Sequence, residues 1–157
     1  MSDSFQDAYP DDLSVCYGCG RLNEKGLRVR SFWDGEETVC RFTPDPAHTA
    51  IAGYVYGGVI ASVIDCHGTG TAAAAAKRAR AGDPTLEPNP RFVTASLHVD
   101  YLKPTPIDAD MELRGKIAEL KGRKVVVDIE VFSKGVVCVR GRVVAVELPK
   151  DWRPDRV

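Results

Sequence analysis

The sequence predicts an α+β domain in which an antiparallel sheet wraps one long helix, with the elements in the order β-β-α-β-β-β-β. Three observations carry that expectation. One stretch, beginning at Gly57 or Gly58 and running for some 24 positions, keeps apolar and small residues at helical spacing. The chain beyond it changes to period-two alternation. Short glycine-containing turns join the last three alternating runs.

Residues 1–15 read as a loose leader, 16–150 as a single domain and 151–157 as a tail. Gly26 to Phe32 sets Leu27 and Val29 against Arg28 and Arg30, a weak first strand. Asp34-Gly35 is a hairpin signal, and Thr38 to Phe42 is the second strand, stopped by Pro44 and Pro46. In the helix, Val59, Ile60, Val63, Ile64 and His67 form one broad stripe. Ala72 to Ala76 has high helix propensity, Lys77, Arg78 and Arg80 complement the dipole, and Gly82 is placed to end the helix. A proline-rich loop follows over 83–91. Ala95, Leu97, Val99 and Tyr101 then form the apolar face of a half-buried strand. Met111, Leu113 and Ile117 begin a meander that continues through Val125, Val127, Ile129 and Val131 and ends with Val137, Val139, Val143 and Ala145. Valine-rich sheet edges would invite pairing with a second copy of the chain.

The 157 residues are 44% hydrophobic, enough for one domain to bury roughly two-thirds of its unfolded surface. Lys+Arg number 21 against 22 Asp+Glu, a balance that argues against a nucleic-acid partner. The most membrane-like stretch, Gly53 to Ala76, contains Asp65 and His67. An ionised Asp at the bilayer centre costs about 3 kcal/mol, so a buried helix is expected and a membrane partner is not. Met1 to Asp12 is acidic and polar and does not read as a secretory leader. With five cysteines, an odd number, reduced thiols in a cytoplasmic protein are the expectation. Cys16 and Cys19 form a C-x-x-C within C-Y-G-C-G. Zinc would need two further ligands, and a redox motif would need to open a helix. A structural turn is the favoured reading, with no metal site and no cofactor.

The informative stretch runs from His48 to Thr71. Gly57-Gly58 stands at a helix N-terminus, where free N–H groups and the positive end of the dipole make a place for an oxyanion. Asp65, two turns on, interrupts the apolar run Ile60 to Cys66. Such a carboxylate is costly to bury unless paired or used. Thr69, four residues further, is spaced to bond it, and Arg91 is a possible ion-pair partner. His48 reads as a loop anchor near the site, His67 as a satisfied core or interface histidine and His98 as a residue of the polar face. Lys77, Arg78 and Arg80 suit phosphates, or simply a solvated helix end.

These residues resemble the hotdog-fold acyl-CoA thioesterases, in particular their PaaI-like branch. V-Y-G-G-V-I-A-S-V-I-D is similar to that family's H-G-G-x-x-x-x-x-x-D segment. C-Y-G-C-G-R-L-N-E-K-G-L resembles its C-x-G-C-G…N…G-L segment, and V-D-Y-L-K-P-T-P its third-strand ending. The resemblance covers roughly residues 14–147. It implies a hotdog fold, a homodimer or dimer of dimers, and hydrolysis of an acyl-CoA thioester with coenzyme A present only as part of the substrate. It assigns Gly57 the oxyanion, Asp65 the role of general base or nucleophile, and Thr94 a hydroxyl that relatives supply from the partner subunit. Gly58, Tyr56, His48 and Thr69 are the implied substrate-binding positions. Two positions depart from the pattern: Tyr56 stands for the usual histidine and Ala50 for a frequent asparagine. They make a non-catalytic acyl-CoA binder on the same fold the alternative to an efficient hydrolase.

Overall fold

The computed structural model describes residues 3–152. Its elements are β1 (Ser31–Asp34), β2 (Glu37–Phe42), α1 (Gly57–Ala79), β3 (Phe92–Tyr101), β4 (Met111–Lys121), β5 (Lys124–Ser133) and β6 (Val136–Glu147). The six strands form one antiparallel sheet in the order β1-β2-β4-β5-β6-β3, and α1 packs on its concave face. The expected β-β-α-β-β-β-β order is therefore observed. Met111, Leu113, Val127, Ile129, Val131, Val139 and Val143 form the buried sheet face against Ile60, Val63 and Ile64 of the helix. On the outer face Arg140 pairs with Glu130 and Arg142 with Asp128. No helix among the described residues is long and apolar enough to cross a membrane.

Four local expectations differ from the structure. Residues 3–15 are packed rather than loose: Gln6 is fully buried and accepts a hydrogen bond from the Ser31 amide at 2.8 Å. Of the expected tail, only residues 151 and 152 lie within the described chain. The first strand begins at Ser31 rather than Gly26, because Arg28 adopts φ 57° and the Leu27 and Val29 amides bond the carbonyls of Tyr17 and Gly18. The helix ends at Ala79, three residues before Gly82. Finally, the sheet edges are β1 and β3, while the valine-rich β5 and β6 are interior.

Strand β3 also departs from simple alternation. Thr94 and Tyr101 both touch α1, although an odd separation of seven residues should place them on opposite faces. A bulge between Thr94 and Ser96 supplies the change of parity. Beyond the bulge Val99 packs against the core, while Leu97 and Tyr101 remain 38% and 53% exposed.

Under the helix lies a buried polar chain. His67 Nδ1 is 2.9 Å from Ser31 Oγ and its Nε2 is 3.4 Å from Thr38 Oγ1, which in turn lies 2.6 Å from Thr71 Oγ1. The imidazole is thus a satisfied core group. Burial lowers its pKa from 6.5 to about 3. Between those values the unfolded chain binds a proton that the folded chain refuses. This contribution to stability is therefore intact above about pH 6.5 and lost progressively as pH falls towards 3, with a slope near 1.4 kcal/mol per pH unit. Urea unfolding at pH 7 and pH 5 should show the wild type losing about 2 kcal/mol more than His67→Gln. Equal losses would contradict a neutral, buried His67.

Candidate active site

Two concave regions flank α1. The larger, about 700 Å³, is lined by Asp65, Thr69 and Thr94, by Cys16, Cys19 and Cys66, and by apolar groups that include Phe5, Tyr9, Leu13, Trp33 and Phe92. That volume lies within the roughly 300–1,000 Å³ usual for small-molecule sites. The smaller, about 340 Å³, lies at the helix N-terminus among Ala50, Ile51, Gly57, Ile60 and Tyr101.

Asp65 is half-buried and projects from the middle of α1 into the larger cavity. The hydroxyl of Thr94 donates a short hydrogen bond to Asp65 Oδ1. This partner belongs to the same chain, whereas the resemblance implied a hydroxyl from a partner subunit. The bulge in β3 accounts for the contact. Thr69, spaced to reach the carboxylate, instead returns its hydroxyl to the Asp65 backbone carbonyl at 3.0 Å, as helical threonines commonly do. Arg91 pairs with Asp12 at 2.8 Å rather than with Asp65.

At the other end, Tyr56 is the N-cap of α1 and Gly57 its first residue. Aromatic rings crowd both glycines. A Cβ on Gly57 would come within 3.2 Å of the Tyr101 ring, and one on Gly58 within 2.5 Å of the Tyr56 ring. Tyr101 also donates to the Gly57 carbonyl at 2.7 Å. Sequence reasoning missed Tyr101, since period two marked it as core. Tyr56 is 57% exposed and stands beside the helix entrance. His48 lines neither cavity. Its Nδ1 accepts from the Asp45 amide at 3.0 Å, its ring stacks on Phe42, and its carbonyl accepts from the Tyr56 amide at 2.8 Å. It thus anchors the loop that leads into the helix. His98 is exposed beside Asp100.

The basic helix end divides. Arg80 is tied to Glu147, with contacts of 2.9 and 2.5 Å. Lys77 and Arg78 line the larger cavity together with Arg91. Arg78 stacks its guanidinium on the Trp33 ring, 3.4 Å from the centroid, a cation–π contact at the cavity wall.

A second chemistry-bearing group adjoins Asp65. The sulfurs of Cys16, Cys19 and Cys66 lie within 4.8 Å of one another. Hydrogen bonds from Cys19 and Cys66 hold the Cys16 thiol far below its ordinary range, while the same contact with Cys16 pushes Cys19 up to about 12. The Cys66 thiol is likewise raised, chiefly by its neighbours Cys16 and Cys19. The sequence offered Cys16 and Cys19 as a pair. Only the packing of the N-terminal loop on α1 adds Cys66.

Residues 52–139 match the model of the thioesterase superfamily. A thioesterase superfamily protein from Shewanella loihica PV-4 is 48% identical, with 92% of this chain and 99% of that chain covered and a TM-score of 0.69. A thioesterase from Haemophilus influenzae shares the fold at 13% identity, with coverage of 94% and 96% and a TM-score of 0.68. The PaaI protein of the phenylacetic acid degradation operon of E. coli does so at 14% identity, with coverage of 78% and 81% and a TM-score of 0.64. No match is found among curated proteins. These similarities support a thioesterase-type function. One helix held by a six-stranded antiparallel sheet is the hotdog fold, and the chain belongs to the thioesterase superfamily.

Proposed function

We propose that the protein hydrolyses an acyl-CoA thioester to the free acid and coenzyme A, with Asp65 as the group that activates water. The observation that carries this reading is the Asp65–Thr94 contact at the wall of a largely apolar cavity. Thr94 holds Oδ1, which orients the carboxylate and assigns the other oxygen, Oδ2, to receive the proton of water. Hydroxide adds to the thioester carbonyl, and the resulting oxyanion is met by the Gly57 N–H at the positive end of the helix. Collapse of the tetrahedral intermediate breaks the C–S bond, and the leaving thiolate takes up a proton. Phe5, Leu13, Trp33 and Phe92 suit an acyl group, and Lys77, Arg78 and Arg91 suit the coenzyme's phosphates.

Gly57 and Asp65 do not serve one carbonyl within a single chain. They are separated by eight residues of helix, about 12 Å along its axis, and open into different cavities. A second copy supplies the missing half if its helix lies antiparallel, so that each Gly57 faces the other chain's Asp65. Edge strand β3 is suited to this pairing, since its backbone edge is unpaired and Leu97, Tyr101 and Leu102 are exposed on and beside it. Tyr56 and Gly58 then border the thioester, and Thr69 remains as cavity wall.

A panel of acyl-CoA substrates with a thiol-detecting reagent tests the reading. Asp65→Asn should lower kcat by about 10²–10⁴. Thr94→Val should lower it less, by loosening the carboxylate. Gly57→Pro should lower kcat by about 10²–10³ by deleting the N–H donor. Proline is tolerated at the first helical position, Tyr56 already has the φ −62°, ψ 128° that a following proline requires, and the half-exposed Tyr101 ring, 3.2 Å from a Cβ at Gly57, needs to shift by only a few tenths of an ångström. Full turnover in Asp65→Asn would overturn the assignment. Saturable acyl-CoA binding without thiol release from the wild type would select the non-catalytic binder, the reading that Ala50 and Tyr56 favour.

The pairing has its own check. Leu97→Asp should shift the protein to a monomer by light scattering and abolish turnover while circular dichroism stays unchanged. A fully active monomer would contradict the two-chain site.

A further inference from the structure

Three cysteine sulfurs from two separate parts of the chain meet beside the larger cavity. Cys16 Sγ lies 4.0 Å from Cys66 Sγ, and with Cys19 the three fall within 4.8 Å of one another. Three thiolates around a tetrahedral zinc, at Zn–S distances of about 2.3 Å, would stand about 3.8 Å apart. The observed triangle needs only a small contraction to reach that spacing.

The loop that carries Cys16 and Cys19 is built as a knuckle. The Gly20 amide closes the turn on the Cys16 carbonyl at 2.8 Å. Two glycines permit it. A Cβ on Gly18 would stand 2.1 Å from Cys66 Sγ, and a Cβ on Gly20 would meet the Ser14 carbonyl at 2.5 Å. Backbone bonds from Leu27 to Tyr17 and from Val29 to Gly18, at 2.8 and 2.9 Å, hold the loop from outside. Arg30 donates to the Cys19 carbonyl at 2.8 Å, placing a positive charge beside the sulfurs. A nearby cation favours the thiolate form that a metal requires.

We propose that Cys16, Cys19 and Cys66 bind one zinc ion, with the fourth coordination position open to the cavity that holds Asp65. Zinc is the ion that three soft thiolate donors in a tetrahedral arrangement select without redox chemistry. Among the described residues no fourth cysteine, histidine or carboxylate joins the group, and all three cysteines line the cavity. The remaining ligand is therefore water or a group brought in by a bound molecule. Binding displaces the thiol protons to solvent. It also staples the N-terminal loop to the helical turn that presents Asp65. The inference rests on the sulfur geometry alone and does not depend on the proposed hydrolysis.

The test uses the full chain, reduced, loaded with Zn²⁺ and desalted, with metal measured by mass spectrometry. One zinc per chain is expected. Loading with Co²⁺ should give intense visible bands of a tetrahedral site and a near-ultraviolet thiolate-to-metal band. Cys16→Ser should weaken zinc binding by more than the roughly 10–100-fold typical of outer-shell changes. Cys16 is exposed, so that variant should keep the wild-type fold by circular dichroism even if Cys66→Ser does not. Cys40→Ser and Cys138→Ser should bind zinc as the wild type does. No retained zinc, cobalt spectra without thiolate bands, or unchanged affinity in Cys16→Ser would overturn the proposal. So would a reduced chain that binds no zinc but forms a Cys16–Cys66 disulfide on treatment with peroxide.

Discussion

Helix α1 is covered on most of its circumference, and this sets the terms for the rest of the structure. A helix enclosed in this way must satisfy every polar group it carries, because water is not there to do so. Asp65, Cys66 and His67 are consecutive and therefore point about 100° apart. Each finds a different partner: Thr94 on β3 for Asp65, the N-terminal knuckle for Cys66, and Ser31 and Thr38 on β1 and β2 for His67. One turn of helix thereby ties both sheet edges and the N-terminal loop to one point. The carboxylate proposed for chemistry belongs to the same turn that holds the fold together.

Much of the architecture was legible in the sequence. Small and apolar residues at helical spacing marked α1, and period-two runs with glycine turns marked β4, β5 and β6, whose antiparallel pairing follows from those turns. Gly57 and Asp65 stood out because helix entrances and isolated carboxylates carry a chemical meaning of their own. What could not be read was anything that depends on two distant segments meeting. The bulge in β3 moves Thr94 onto the helix face, and no local residue pattern announces it. The packing of Gln6 and of the C-x-x-C loop rests on contacts with Ser31, Leu27 and Cys66 that alternation does not encode. Leu97 and Tyr101 read as part of a half-buried face because period two does not distinguish a core-facing stripe from one left open at a sheet edge.

The departures from the family pattern concern one end of the site. Ala50 and Tyr56 both lie near the entrance to α1, where the oxyanion donor is proposed. Tyr56 packs its ring over Gly58, and Tyr101 covers Gly57 while bonding its carbonyl. Two tyrosines thus stand around the helix start, where the pattern the sequence resembles has a histidine at position 56 and an asparagine at position 50. The Asp65 end has its hydroxyl partner in Thr94.

In the proposed site the reactive carbonyl lies between the Gly57 amide of one chain and the Asp65 carboxylate of another. Coexpressing Asp65→Asn and Gly57→Pro chains with different affinity tags, and purifying the mixed dimer, tests it directly. The mixed dimer contains one site with both defects and one with neither. It should regain about half the turnover per dimer of the wild type, although each parent homodimer is reduced by about 10² or more. A mixed dimer no more active than its parents would contradict the account.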